Sequence, residues 1–432
     1  LIQLTLPMIM GIMSMVAFNL ADTFFVSRLG TVALAALSFT FPVVLIVNSL
    51  SLGLGIGASA VISRAFGERN HNKVQRLTTD SITLSLIIVI FFTAIGRLTI
   101  RPLFQVLGAS GEVLPLIEQY MRIWYFGAVF VVVPMVGNNA IRASGDAKTP
   151  GLIMLISAIF NVILDYMLVF GLGPFPKLGI AGAALATVIS RAISFTIAFT
   201  ILHKREHMLT LKPIPLKTIF KSWAHILYIA LPASSTRAVI PLGMGVITRL
   251  ISRFGPEAVA GYGVANRIEF FAGAVIMALS SILGPFIGQN WGAKSYSRVK
   301  RSITLSQRFG LTWALAVCTV LMVFAKEIAM IFNQNANVVS TIVMYLRIVP
   351  IGYGLYWILI LSNAALNVLR KPLHAATLSI SQVFLFSIPL AYLGSTLLGL
   401  RGIFGGILMS YIVSGTAAYM ILKWVYNKLC KQ

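Results

Sequence analysis

Long apolar runs recur along the whole chain, and no other feature constrains its fold as strongly. Each is about twenty residues or longer, the length a helix needs to cross a hydrocarbon core of ~30 Å. The strands of a membrane barrel would be shorter, alternating and separated by polar turns, so the runs read as helices. The chain is 58% hydrophobic and only 10% charged, too little polar surface for a water-facing globule, in which about 25% of residues are charged. Breaks at charge, glycine and proline predict twelve helices, over 2–27, 33–62, 78–100, 115–141, 149–171, 178–203, 221–249, 257–286, 301–325, 338–366, 373–396 and 402–425. The opening LIQLTLPMIM leads into a full span without a small-residue cleavage site, so it reads as helix 1 and not as a signal peptide. Many spans contain a proline (Pro7, Pro42, Pro134, Pro232, Pro241, Pro285, Pro350, Pro389), which transmembrane helices tolerate where neighbours satisfy the freed backbone.

The net charge of +23 is the kind of balance that marks nucleic-acid binders. In a chain of apolar spans the topological reading is stronger, and no nucleic-acid partner is expected. Twenty lysines and arginines fall in the even-numbered loops, the helix ends that adjoin them and the C-terminal tail, against eight in the odd-numbered loops and their adjoining helix ends. Basic residues stay cytoplasmic, so both termini are expected in the cytoplasm of a multi-pass protein of the inner membrane. Cys318 and Cys430 suggest no disulfide framework.

The two halves of the chain resemble each other at a spacing of 225 residues. Leu6-Pro7 matches Leu231-Pro232, Ser27-Arg28-Leu29-Gly30 matches Ser252-Arg253-Phe254-Gly255, and Gly67 matches Gly292. Tyr120-Met121-Arg122-Ile123 matches Tyr345-Leu346-Arg347-Ile348, and Asn138 matches Asn363. After a two-residue slip, Gly179-Ile180-Ala181-Gly182 meets Gly402-Ile403-Phe404-Gly405. Six helices per half keep both halves in the same orientation. The expected fold is therefore all-α: two six-helix lobes related by a pseudo-two-fold along the membrane normal, with a central cavity. The lobes are expected at 1–203 and 221–432, joined by a cytoplasmic loop at 204–220.

Only eleven acidic residues exist, and three, Asp22, Asp165 and Glu269, fall well inside spans. A carboxylate in hydrocarbon costs about 2.5 kcal/mol or more, so such residues face the protein interior and usually have a job. Asn161 precedes Asp165 by four residues, which places both on one helix face. Counted from the outer helix ends, Asp22 and Asp165 lie at one depth, ~9 Å in. Two carboxylates that share a dry site can hold a proton between them, or with amide and hydroxyl oxygens can coordinate Na⁺. The alternative is that Asp22 caps a kinked backbone and Asp165 bonds a neighbouring amide or hydroxyl; Arg191 is a conceivable partner, but lies farther toward the cytoplasm. Glu269 has Arg267 and Asn266 nearby to satisfy it, and functional and structural roles stay open. In the repeat Asp22 aligns with Ile247 and Asp165 falls near Leu390, so the acidic pair belongs to the N-lobe alone. Met244, Met277, Phe270, Phe271, Tyr353, Tyr356 and Trp357 offer the C-lobe an adaptable apolar lining.

The five histidines show no ligand spacing, and no GxxxxGK[ST] loop is present, so neither a metal enzyme nor an ATP-driven machine is indicated. No enzymatic activity and no cofactor beyond a coupling ion are expected.

The segment Ile141-Arg142-Ala143-Ser144-Gly145-Asp146-Ala147-Lys148-Thr149-Pro150 resembles the signature of the multidrug and toxic compound extrusion (MATE) transporters. Leu6-Pro7, Asp22-Thr23 and Leu178-Gly179-Ile180-Ala181-Gly182-Ala183-Ala184 agree with it, and with the 6+6 repeat the resemblance covers essentially the whole chain. It is closest to the DinF-like branch. It implies a cation-coupling site at Asp22, Asn161 and Asp165 with the helix 6 residue Thr187, polar cavity residues Tyr120 and Asn138, and a helix 1 that bends at Pro7 on protonation. The NorM-like branch adds acids on helices 7 and 10, which this chain lacks, although Glu269 stands on helix 8. The implied function is a monomeric antiporter in the lipid bilayer that exports cationic or amphipathic drugs in exchange for H⁺ or Na⁺. The alternative is a flippase for lipid-linked precursors, which would need an arginine-lined cavity.

Overall fold

The structure is a computed structural model that describes all residues except 1, 110, 173–174, 211, 213–214 and 431–432, with side chains from residue 4 onward. Lys431 of the C-terminal tail lies outside them. The described residues are helical in every element. The order is α1 (Ile2–Ser27), α2 (Thr31–Gly67), α3 (His71–Leu98), α4 (Ile100–Val106), α5 (Val113–Ala143), α6 (Lys148–Phe170), α7 (Ile180–Thr200), α8 (Leu216–Ile251), α9 (Pro256–Gly292), α10 (Tyr296–Val323), α11 (Ala325–Phe332), α12 (Ala336–Ile348), α13 (Tyr353–Val368), α14 (Pro372–Ile380) and α15 (Ile388–Cys430).

Eleven stretches among the described residues are long and apolar enough to cross a membrane. The last, Pro372–Cys430, has 59 residues, ~89 Å if it were straight and far more than a bilayer needs. It folds back at Gly399, whose φ of 60° and ψ of −136° leave the helix. Gly394 and Gly402 then let the two arms touch: a Cβ on Gly402 would lie 1.8 Å from the Gly394 carbonyl oxygen. This turn separates the expected helices 11 and 12, and all twelve crossings are present.

Helix ends depart from the sequence expectation for a physical reason. α3 begins at His71, not 78, and α10 at Tyr296, not 301, because backbone hydrogen bonding continues through charged first turns that lie outside the hydrocarbon. The expected helix 10 is interrupted by a tighter turn, Val349–Gly352, that contains Pro350. The short helices α4 and α11 were not expected. They are too short to span, and they stand 225 positions apart as repeat mates.

The backbone carries the repeat into conformation. Gly30 and Gly255 both have positive φ, as do Arg69 and Lys294, and Gly145 and Arg370, each pair 225 apart. It also corrects the late register. Gly179 (φ 57°, ψ −131°) has the conformation of Gly399, so Gly179 to Gly182 answer to Gly399 to Gly402, and the slip is five residues, not two.

The chain forms two compact units, which divide at Ser234 and Ser235 within α8, downstream of the loop at 204–220. In the first unit, α2 packs on the first part of α8 through glycines: a Cβ on Gly53 would meet the Ala230 carbonyl at 2.6 Å, and one on Gly57 that of Ile226 at 2.7 Å. The 204–220 segment is tied to α3, where Gln75 Nε2 donates to the His207 carbonyl (2.8 Å) and the Thr210 amide to Thr79 Oγ1 (3.0 Å). The core is built from small side chains such as Ala36, Ala58, Ala65, Ala140 and Ala184, all fully buried, as expected where helices pack without a hydrophobic drive between them.

Candidate functional site

Four helices of the first unit bring Asp22, Tyr120, Asp165 and Thr187 to one level. α1 and α6 run side by side in the same direction. Their starts meet at Pro7, where a Cβ on Gly151 would lie 2.5 Å from the Pro7 carbonyl oxygen, and their ends meet where Phe25 packs on Tyr166 (5.9 Å) and Phe170 (6.1 Å). α7 returns antiparallel to α6, with a Cβ on Gly182 placed 2.5 Å from the Leu168 carbonyl oxygen and Ser157 Oγ donating to the Ser190 carbonyl (3.1 Å). α5 lies against α7, Gly127 facing Val188.

Asp22 stands five residues from the end of α1, and Asp165 five from the end of α6. Tyr120 and Thr187 each stand seven residues from the start of their helices, α5 and α7. At ~1.5 Å per residue these four lie in one layer, ~7–11 Å from the helix ends, with Asn161 one turn deeper. Asp165 and Asn161 are 0% exposed, Tyr120 and Thr187 are buried, and Asp22 is half-buried. The carboxylates lie within electrostatic reach of each other and of Tyr120. No basic residue pairs with them among the described residues. Arg191, the conceivable partner, instead lies over the Phe18 ring at 5.0 Å, one turn further in.

The layer is unsatisfied. Asp22 Oδ1, both oxygens of Asp165, the whole Asn161 amide and Thr187 Oγ1 are buried without a hydrogen-bond partner among the described residues. Each such group costs about 1–3 kcal/mol. The set supplies hard oxygen donors and two acids that can exchange one proton, so it suits H⁺ or Na⁺ equally. The aromatic trio Phe25, Tyr166 and Phe170 covers the helix ends beyond the acids. Its residues follow Asp22 and Asp165 within a turn or so, yet an aromatic near a span end gave no signal distinct from interfacial anchoring.

Asn138 is not part of this layer. It stands eighteen residues from Tyr120 on α5, ~27 Å along the axis, near Ala143 at the opposite end, with its Oδ1 buried and unpaired. Pro7 lies within α1, which is one helix from Ile2 to Ser27.

Glu269 belongs to the second unit, and its partners differ from those expected. Tyr345 donates to its Oε2, and Tyr411 to its Oε1 at 2.8 Å. Arg267 is exposed and forms no ion pair among the described residues, and Asn266 donates to the Tyr262 carbonyl (3.1 Å). Tyr345 is the repeat mate of Tyr120, a clue the sequence held. Of the expected C-lobe lining, Tyr353 and Trp357 are buried and stacked on each other at 5.4 Å as core, while Met244, Phe270 and Phe271 are exposed.

Comparison with known proteins identifies the family to which the fold belongs. The MatE family model matches residues 7–167 and 232–393, one match per repeat. The FAD transporter of Shewanella oneidensis is 37% identical over 98% of this chain and 93% of its own length. The multidrug export protein MepA of Staphylococcus haemolyticus is 26% identical over 99% and 94%. Among solved structures, the MATE transporter VcmN of Vibrio cholerae in its bent form superposes with a TM-score of 0.93 at 30% identity, covering 99% of this chain and 96% of that one. The chain belongs to the MatE family and is a multi-pass membrane transporter.

Proposed function

We propose that the protein is a secondary antiporter that exports amphipathic organic molecules by alternating access, driven by H⁺ or Na⁺ entering at Asp22 and Asp165. One observation carries this reading: two carboxylates share a layer with Tyr120 and Thr187, one turn above Asn161, and have no basic partner among the described residues. A charge left so costly by the fold is stabilised when a proton or cation binds, which couples ion occupancy to the packing of α1 on α6. Because Pro7 removes one backbone hydrogen bond of α1, that helix bends there at lower cost than elsewhere. The protein acts as a monomer in the inner membrane with both termini cytoplasmic.

A second reading of the substrate, an anionic flavin dinucleotide, rests on the 37% identity to a relative named FAD transporter and on Arg142, in the last turn of α5, and Arg237, within α8, which pair with no carboxylate among the described residues. Proteoliposomes loaded with either a cationic fluorescent dye or FAD separate the two. Gradient-driven movement of the dye supports drug export, movement of FAD alone supports the flavin reading, and movement of neither under H⁺ or Na⁺ gradients contradicts both.

A further inference from the structure

At the end of the second unit opposite the C-terminus, three basic side chains stand where the topology predicts few. Lys326, Arg347 and Arg401 line one open cleft of about 690 Å³. All three are exposed, none forms an ion pair among the described residues, and no acidic side chain lines the cleft. Its remaining wall is largely apolar, with Val339, Val343 and Met344.

The repeat sets this cluster beside its counterpart in the first unit. Lys326 and Arg347 stand 225 positions after Arg101 and Arg122. In the first unit those two arginines share one carboxylate: Arg101 donates to Glu118 Oε1, and Arg122 Nη2 to Glu118 Oε2 at 3.5 Å. The mate of Glu118 is Val343, which lines the cleft. Arg401 takes the place of Ala181 in the register set by Gly179 and Gly399. The second copy of the cluster thus lacks the internal anion of the first and carries a further cation.

Like charges gathered in one cleft repel and destabilise the unit unless an external anion neutralises them. Guanidinium forks match phosphate oxygens in bidentate fashion, and the lysine adds a point charge. Arg347 stands in the last turn of α12, ~16 Å from its start, Lys326 in the first turn of α11 and Arg401 just past the Gly399 turn, and all three border one largely apolar wall. We propose that this cleft binds the phosphate group of an amphiphilic anion, with the headgroup of an anionic phospholipid from the adjacent leaflet as its source.

The test is native mass spectrometry of the purified full chain, titrated separately with short-chain phosphatidylglycerol and with inorganic phosphate. The lipid is expected to bind, and Arg401→Gln and Val343→Glu, the latter restoring the first unit's carboxylate, should each weaken it at least tenfold. Inorganic phosphate bound as tightly and lost in the same variants would support the phosphate site but replace the lipid with a soluble source. Lipid binding unchanged by either variant, or no binding of either probe, overturns the proposal. Arg401 is exposed, so its variant keeps the test decisive if Val343→Glu fails to fold.

Discussion

Asp165 carries two buried oxygens that no group among the described residues satisfies, next to an Asn161 whose amide is equally unpartnered there. Folding alone gains nothing from such a residue. Replacing it with asparagine removes the cost of a dry charge, so Asp165→Asn should leave thermal stability unchanged or raise it by about 1–2 kcal/mol. A fall in melting temperature of the purified variant would make Asp165 a packing residue instead. Asp146 is its opposite. Burial pushes its carboxyl up, but the Thr149 hydroxyl and amide and the Arg205 guanidinium outweigh that and hold it below the ordinary carboxylate range. A depressed folded value means the stabilisation is complete above the unfolded pKa of ~3.9 and is lost as pH falls through the folded value. Wild type should therefore lose more melting temperature than Asp146→Asn between about pH 7 and pH 3. Equal losses would show that Asp146 does not hold α6. The acids of the site were legible because a chain with eleven carboxylates spends few of them in hydrocarbon. The partners of Glu269 were not, because Tyr345 and Tyr411 lie 76 and 142 positions away, while Arg267 is merely the nearest charge in sequence.

Among the elements, hydropathy fixed the spans but not their ends or their joins. Charged first turns hid the starts of α3 and α10, and α4 and α11 are too short to register as crossings. The fold-back in α15 was visible only as a gap between two apolar runs, and what makes it possible is glycine on both arms. Gly402→Ala would place a methyl 1.8 Å from the Gly394 carbonyl oxygen, and backbone cannot yield cheaply there. It should destabilise the protein by several kcal/mol, within the range known for overpacking at close contacts. Gly405→Ala, which would meet nothing within 4 Å, should be neutral or slightly stabilising. Thermal melts of the two variants in detergent check this, and equal stability would contradict the close-packed hairpin.

Across the whole molecule, one scaffold appears twice and carries different chemistry in each copy. The 225-residue spacing, read from Pro7 and Pro232 or Gly30 and Gly255, recurs in backbone conformation and in the two matches to the family model. Only side chains report the divergence. The first unit keeps Asp22 and Asp165 bare and neutralises Arg101 and Arg122 with Glu118. The second surrounds Glu269 with tyrosines and leaves Lys326, Arg347 and Arg401 without a carboxylate. Charge counting along the sequence could not see either grouping, since it depends on which helices meet. The proposed drive for transport is ion binding at the first unit's acids. Its most direct test is substrate flux in proteoliposomes under an imposed H⁺ or Na⁺ gradient, comparing wild type with Asp22→Asn, Asp165→Asn and Glu269→Gln at matched protein incorporation. Flux falling at least tenfold in both aspartate variants, with Glu269→Gln retaining most of it, is the predicted result; gradient-driven flux that persists in Asp22→Asn and Asp165→Asn would contradict it.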